Sequence, residues 1–255
     1  MNYGKTQIVL CADEFDLGKR AASAVAATFR ERLARQPSVT AVFAAGESQM
    51  TFLDALAQEQ GIAWQRVNCF NIDDFWDPLL PREYTCGWQT WRQLYEKVKP
   101  GRVELVRYNA PNAEAEARRF EGLLREAAPI DILCQGIGTS GHLALDEPGQ
   151  VDFSTRTWVK VATVEAQSKR QLIEDPNFRA FGRIPEKGIT MTIPAIMSAR
   201  NVFTMVPLRL KRPIMTAVLA TPEPTEAIPA TILSRYPGVL FLDRQSCPPA
   251  CGGNP

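Results

Sequence analysis

Among 255 residues there is one histidine, His142, and it lies in the stretch GIGTSGHLALDEPG, Gly136 to Gly149. An imidazole titrates near neutrality and can move protons between oxygens of a bound molecule. Two acids follow it, Asp146 and Glu147, and Glu147 can orient the ring. Ser140, two residues upstream, can hydrogen-bond to it. Gly136, Gly138 and Gly141 let the backbone take positive φ or lie close to a ligand. A satisfied structural histidine is the competing reading, and the glycine-rich setting favours proton transfer.

Three other stretches carry chemically useful groups. FNIDDF places Asp73 and Asp74 together, and paired carboxylates can divide labour, one accepting a proton while the other hydrogen-bonds the substrate. Taken alone, the pair reads more readily as two solvated loop acids. AAGES brings Gly46, Glu47 and Ser48 to a strand-to-helix turn, where backbone N–H groups favour an anion and Ser48 can cap or donate. An ordinary helix cap looks the same, and Glu47 would repel a phosphate unless it points away. LRLKRP holds Arg209, Lys211 and Arg212, which form either a solvated face or the other half of an anion site begun by AAGES.

Strand-length apolar segments alternating with helical patterns must position these groups. Leu17, Ala21, Val25, Phe29 and Leu33 recur every four residues on one helix face. TAVFAA reads as a buried strand, RVNCFNI as a strand ending at Asp73, and GESQ as the opening of a helix through Met50, Leu53, Leu56 and Ala57. TCGWQTWRQLYEKV and AEAEARRFEGLLREA suit helices, with VELVRYN a strand between them. DILCQG, TWVKVAT, NVFTMV and VLFLD complete the strands, separated by helices such as AIMSA and KRPIMTAVLA. The pattern predicts an α/β chain: a single-domain, Rossmann-like, mostly parallel sheet with helices on both faces, spanning residues 1–245. SCPPACGGNP, residues 246–255, reads as a disordered tail. In such sheets ligands sit beyond the carboxyl ends of the strands, which selects residues 45–49, 71–77 and 136–147, with 209–212 as a fourth patch.

A formal charge of +1 offers no field for nucleic acid or an anionic membrane. The N-terminal apolar run is soon interrupted by acids, so it predicts neither a secretory signal nor a membrane span. Cys11, Cys69 and Cys134 lie in apolar runs and read as buried thiols of a reduced, cytoplasmic protein. No cysteine, histidine and acid spacing predicts a metal, and none of the chemistry calls for a cofactor.

Together the four loops resemble the glucosamine-6-phosphate deaminase/isomerase family, whose fold also includes the 6-phosphogluconolactonases. The resemblance runs from the Leu17 helix to VLFLD. GIGTSGHLALDEPG is similar to the family's G-x-G-x-D-G-H-[IL]-A-[FL]-N-E-P signature, FNIDDF to its F-N-M-D-E-Y, and AAGESQMTFLDAL to its phosphate loop and helix. ITMTIPAIMSARNVFTMV resembles the region leading to its phosphate-binding lysine.

The resemblance implies a small-molecule sugar phosphate as substrate, no cofactor, and either a monomer or a homo-oligomer. Asp73 matches the acid that removes the C2 proton of the opened sugar, His142 the residue that opens the ring, and Glu147 its acidic partner. Gly46 and Ser48 match the phosphate loop, with Glu47, Asp74 and Gly138 beside the substrate. Lys211 matches the phosphate lysine, and a lid contact falls at Lys169 or Arg170. Three positions depart from the pattern: Ser140 replaces an acid, Glu47 a small residue and Asp146 an Asn. Ser140 brings no negative charge to an imidazolium, which implies weaker ring opening at neutral pH. The implied activity is conversion of a hexosamine 6-phosphate to a ketose 6-phosphate and ammonia. Lactone hydrolysis on the same fold and a non-catalytic sugar-phosphate sensor are the alternatives. Glu147–Pro148 favours the deaminase over the lactonase, whose signature resembles D-G-H-T-A-S-L-F-P.

Overall fold

The computed structural model describes residues 1–164, 169 and 182–249. The chain opens with β1 (Asn2–Tyr3) and β2 (Thr6–Cys11), then α1 (Glu14–Arg35), whose first turn is capped by Asp13 accepting the Phe15 and Asp16 N–H groups. Leu17, Ala21, Val25, Phe29 and Leu33 form its buried stripe, as their spacing predicts. There follow β3 (Val39–Phe43), α2 (Met50–Leu56), β4 (Val67–Asn71), β5 (Asp73–Trp76), α3 (Cys86–Thr90), α4 (Glu96–Val98), β6 (Arg102–Glu104) and α5 (Ala113–Glu126). The remainder comprises β7 (Ile132–Gln135), β8 (Val159–Thr163), β9 (Lys187–Met191), α6 (Ile193–Met197), β10 (Asn201–Val206), α7 (Arg212–Ala220) and β11 (Gly238–Asp243).

Eight strands form the main sheet in the order β1-β2-β11-β10-β7-β3-β4-β6, parallel at every pairing but β1 with β2. All five residues of β3 are buried, as a strand covered on both faces requires. One face packs on α1 and α2 through Phe29, Phe52 and Tyr95. The other packs on α5, α6 and α7 through Phe120, Leu124, Ile196 and Met215. The expected α/β sheet with helices on both faces is therefore present.

Strand order decides where chemistry can occur. β4, β3, β7 and β10 are consecutive in the sheet, so the loops leaving their carboxyl ends stand side by side. Those loops carry Asp73, Ser48, His142 and Lys211 in turn. The chain runs outward from β3 through β4 to β6 and returns beside β3 as β7. This places the loops at a topological switch point.

Several expectations need correction. The strand expected to end at Asp73 ends at Asn71, and Asp73 instead begins β5 in a second sheet, ordered β5-β9-β8 and antiparallel. Ile72 joins the two sheets: its N–H donates to the Phe43 carbonyl, and its carbonyl accepts the Met191 N–H. TWVKVAT contributes β8 to this small sheet rather than to the parallel one. VELVRYN pairs only at its start, and residues 105–109 leave the sheet. The expected tail boundary also moves, because Ser246 and Cys247 are buried and the Asp243 carboxylate accepts the Ser246 N–H at 2.6 Å. Residues 250–255 lie outside the described residues.

Candidate active site

His142 is held on two sides. Its Nδ1 lies 2.8 Å from Glu147 Oε1 and 2.8 Å from Ser140 Oγ, and the Ser140 hydroxyl donates to Glu147 Oε2 at 2.6 Å. With the hydroxyl proton committed to Glu147, Nδ1 carries a hydrogen, and Nε2 is the ring nitrogen left to meet an incoming oxygen. The ring lies against Gly138, where a Cβ would fall 2.0 Å from its Cε1 and Nε2, so no larger residue fits there. The expected contact of Ser140 with His142 is present, and so is the alignment by Glu147. Glu147 is buried, whereas the His142 side chain keeps 16% of its exposure.

The histidine loop is tied to the strand pair that carries Asp73. Thr190 of β9 stands opposite Asp73 of β5 in the register, and its hydroxyl accepts the Leu145 N–H at 3.1 Å. The Asp146 carboxylate accepts the Ile193 N–H at the start of α6 at 2.7 Å and ion-pairs with Lys160 of β8. Burial raises the Asp146 carboxyl while Lys160 pulls it back. Lys160 is a site-organising residue that sequence reasoning missed, since TWVKVAT reads as a strand with one outward lysine. The available signal is Asp146 itself, because a buried carboxylate needs a cation.

Asp73 is buried, and burial pushes its carboxyl up to about 7; the charge of His142 lowers it and that of Asp146 raises it. Its site is therefore electrostatically shared with the imidazole. Asp74, expected as a substrate contact, points to the opposite face of β5. Its oxygens accept the Phe75, Cys86 and Gly87 N–H groups at 2.8, 2.9 and 2.8 Å, which anchors the start of α3. Burial also pushes this carboxyl up to about 7, against the pull of the Gly87 and Cys86 N–H groups.

At the other end stands the turn from Glu47 to Gln49, entered through Gly46 at φ +95°. Only a residue without Cβ takes that conformation cheaply. Lys211 is 4% exposed, and among the described residues its ammonium has no hydrogen bond or ion pair. Burial lowers its pKa and the charge of Glu47 partly restores it, so Glu47 and Lys211 belong to one locality. Ser48 is buried in the same turn. Leu208, three residues before Lys211, adopts φ +81°, a strained backbone of the kind that concentrates at functional sites. Of the basic cluster only Lys211 turns inward: Arg209 is exposed, and Arg212 donates to the Gln245 and Arg244 carbonyls.

A second residue not foreseen from sequence is Gln89 of α3, whose Oε1 accepts the Gly46 N–H at 3.1 Å and braces the turn. Of the two expected lid residues, Lys169 ion-pairs with Glu186 at 2.6 Å, and Arg170 lies outside the described residues. Among the described residues no three His, Cys, Asp or Glu side chains converge so as to hold a metal ion.

This arrangement, four ligand loops at the switch point of a parallel sheet with an acid, an imidazole and a lysine, defines a Rossmann-like α/β protein with a polar site at its carboxyl edge. The sequence profile of the glucosamine-6-phosphate isomerases/6-phosphogluconolactonase family matches residues 12–241. The chain belongs to that family. It is 32% identical to a glucosamine-6-phosphate deaminase of Shouchella clausii over 224 residues, 85% of this chain and 87% of the relative. It is 31% identical to glucosamine-6-phosphate deaminase 2 of Giardia intestinalis, over 87% of this chain and 84% of the relative. In structure it resembles a monomeric glucosamine-6-phosphate deaminase, with a TM-score of 0.83 and 24% identity over 94% of this chain and 98% of the other. It also resembles a 6-phosphogluconolactonase of Trypanosoma brucei, with a TM-score of 0.76 and 18% identity over 95% and 97% of the two chains. These two likenesses concern the fold.

Proposed function

We propose that the protein is an amino-sugar-phosphate deaminase/isomerase converting a hexosamine 6-phosphate to a ketose 6-phosphate and ammonia. The observation that carries this reading is a buried carboxylate, Asp73, in the electrostatic reach of an imidazole whose Nδ1 is fixed by Glu147 and Ser140. His142 Nε2 shuttles the ring-oxygen proton and opens the pyranose. Asp73 then takes the proton from C2, leaving an enolamine across C1 and C2. Return of a proton to C1 gives a ketimine, which water hydrolyses to the ketone and ammonia. The 6-phosphate lies against the Gly46–Ser48 turn with Lys211 as its counter-charge. No redox or metal step enters this sequence. Free thiols at Cys11, Cys69, Cys86, Cys134 and Cys247 fit an enzyme of the reducing cytoplasm.

The test is ammonia release across a panel of hexosamine 6-phosphates. Release from at least one, lost in Asp73→Asn with ligand binding retained, is the expected result. Acid release from a 6-phosphogluconolactone without ammonia from any amino sugar would replace the reading with hydrolysis.

A further inference from the structure

A cavity of about 370 Å³ lies between α3 and the segment following β6, on the side of β5 that carries Asp74 and not Asp73. Its volume falls in the range of small-ligand sites. Trp88, Trp91 and Tyr108 give it aromatic walls, and Arg82, Arg107 and Asn109 stand at its polar side. The Arg82 guanidinium lies 3.6 Å over the Trp88 ring, so a cation and a flat aromatic wall are held together at one side of the cavity. Among the described residues neither Arg82 nor Arg107 has an ion-pair partner. The one acid on the wall, Asp74, has its carboxylate engaged by backbone N–H groups. The cavity therefore combines flat apolar surfaces with two exposed guanidinium groups that no acid neutralises among the described residues. An aromatic ring bearing a phosphate satisfies both, with Asn109 able to read the edge of a base.

Both walls hang on the strand that bears Asp73. On one side the Cys86 and Gly87 N–H groups are held by Asp74, and Gln89 braces Gly46 of the anion turn. On the other, the Tyr108 carbonyl accepts the Asp77 N–H at 3.0 Å, and Trp76 Nε1 donates to the Ala110 carbonyl at 2.9 Å. A ligand that parts or draws together these walls must act on β5 and on the turn at Gly46.

We propose that this cavity binds a nucleoside monophosphate and that its occupancy alters the KM of the site at Asp73. The binding stands independently, and the coupling rests on the proposed function. Calorimetric titration of the intact protein with AMP, GMP, CMP and UMP, alongside adenosine and inorganic phosphate, tests the binding. Saturable binding of at least one nucleotide is expected, weaker by about tenfold or more in Trp88→Ala and in the exposed Arg107→Ala. Occupancy should shift KM for the sugar phosphate in the native protein and leave it unmoved in those variants, with the reciprocal change in nucleotide affinity. Failure of all four nucleotides to bind, binding undiminished in both variants, or one-for-one displacement by sugar phosphate would each overturn the assignment. So would a dimer that Trp88→Ala abolishes, which would mark the face as a contact between copies. Binding with an unchanged KM would overturn the coupling. Calorimetry needs no turnover, so a protein that binds nucleotide but releases no ammonia would refute the deaminase alone.

Discussion

To accept a carbon-bound proton Asp73 must be ionised, and burial opposes this by pushing its carboxyl up to about 7. The acid limb of kcat/KM should therefore rise through about pH 7 and vanish with the residual rate in Asp73→Asn. The same shift fixes the sign of a stability effect. The folded carboxyl titrates above its unfolded value, so the folded state binds the proton more tightly, and stability falls as pH climbs from about 4 through 7. Asp73→Asn removes this penalty. Thermal melts should place its Tm above the native value by a few degrees at about pH 8, with no gain at about pH 3. Ser140 joins Nδ1 to Glu147 without charge, and Ser140→Ala should lower kcat by about tenfold or more through loss of its hydrogen bonds to both groups. Ser140→Asp should move a limb of the pH–rate profile, and unchanged limbs would show that this position does not tune proton transfer. The strand-end setting of His142, Ser140 and Glu147 was legible in the sequence from the glycines around them, whereas Asp73, taken alone, read as a solvated loop acid and is buried. The role of Asp74 was not legible, since its neighbour in sequence lies on the opposite strand face and only the fold supplies the three N–H groups it meets.

At the scale of elements, α3 is a brace between β5 and the turn at Gly46, and Asp74 is what fastens it. Asp74→Ala strips an acceptor from buried N–H groups and should cost about 3 kcal/mol in urea unfolding. It should also raise KM for a phosphorylated sugar, because Gln89 then no longer holds Gly46 in place. Denaturation and kinetics on the same preparation check both effects. α1 was readable because its buried stripe repeats every four residues, and β3 and β10 because they are short apolar runs between turns. Two strands of the small sheet, β5 and β9, were not. DDFW carries two acids and KGITM starts with a lysine and a glycine, so neither presents a strand's alternation. Their stability comes from pairing with each other across a long stretch of chain.

Over the whole molecule, the strand order β4-β3-β7-β10 gathers chemistry at one end and a counter-charge beside it. Lys211 carries a buried ammonium whose pKa burial lowers. An anion in its site stabilises the charged form, so inorganic phosphate should raise Tm in the native protein and leave Lys211→Met unmoved. That protection should weaken as pH rises through the lowered lysine value, and differential scanning across alkaline pH measures it. The parallel sheet with two helical faces followed from alternation of elements alone, whereas the cavity at Trp88 did not. Its walls come from segments that no periodicity relates.

The pairing of Asp73 with Thr190 has a consequence for synthesis. During translation the acid's strand emerges early and waits, its edge open, for a partner made much later. A nascent chain stopped before Lys187 lacks β9, the strand that pairs with Asp73. Activity should therefore appear abruptly in a series of lengthening ribosome-bound fragments, and folding should be slow for so distant a contact.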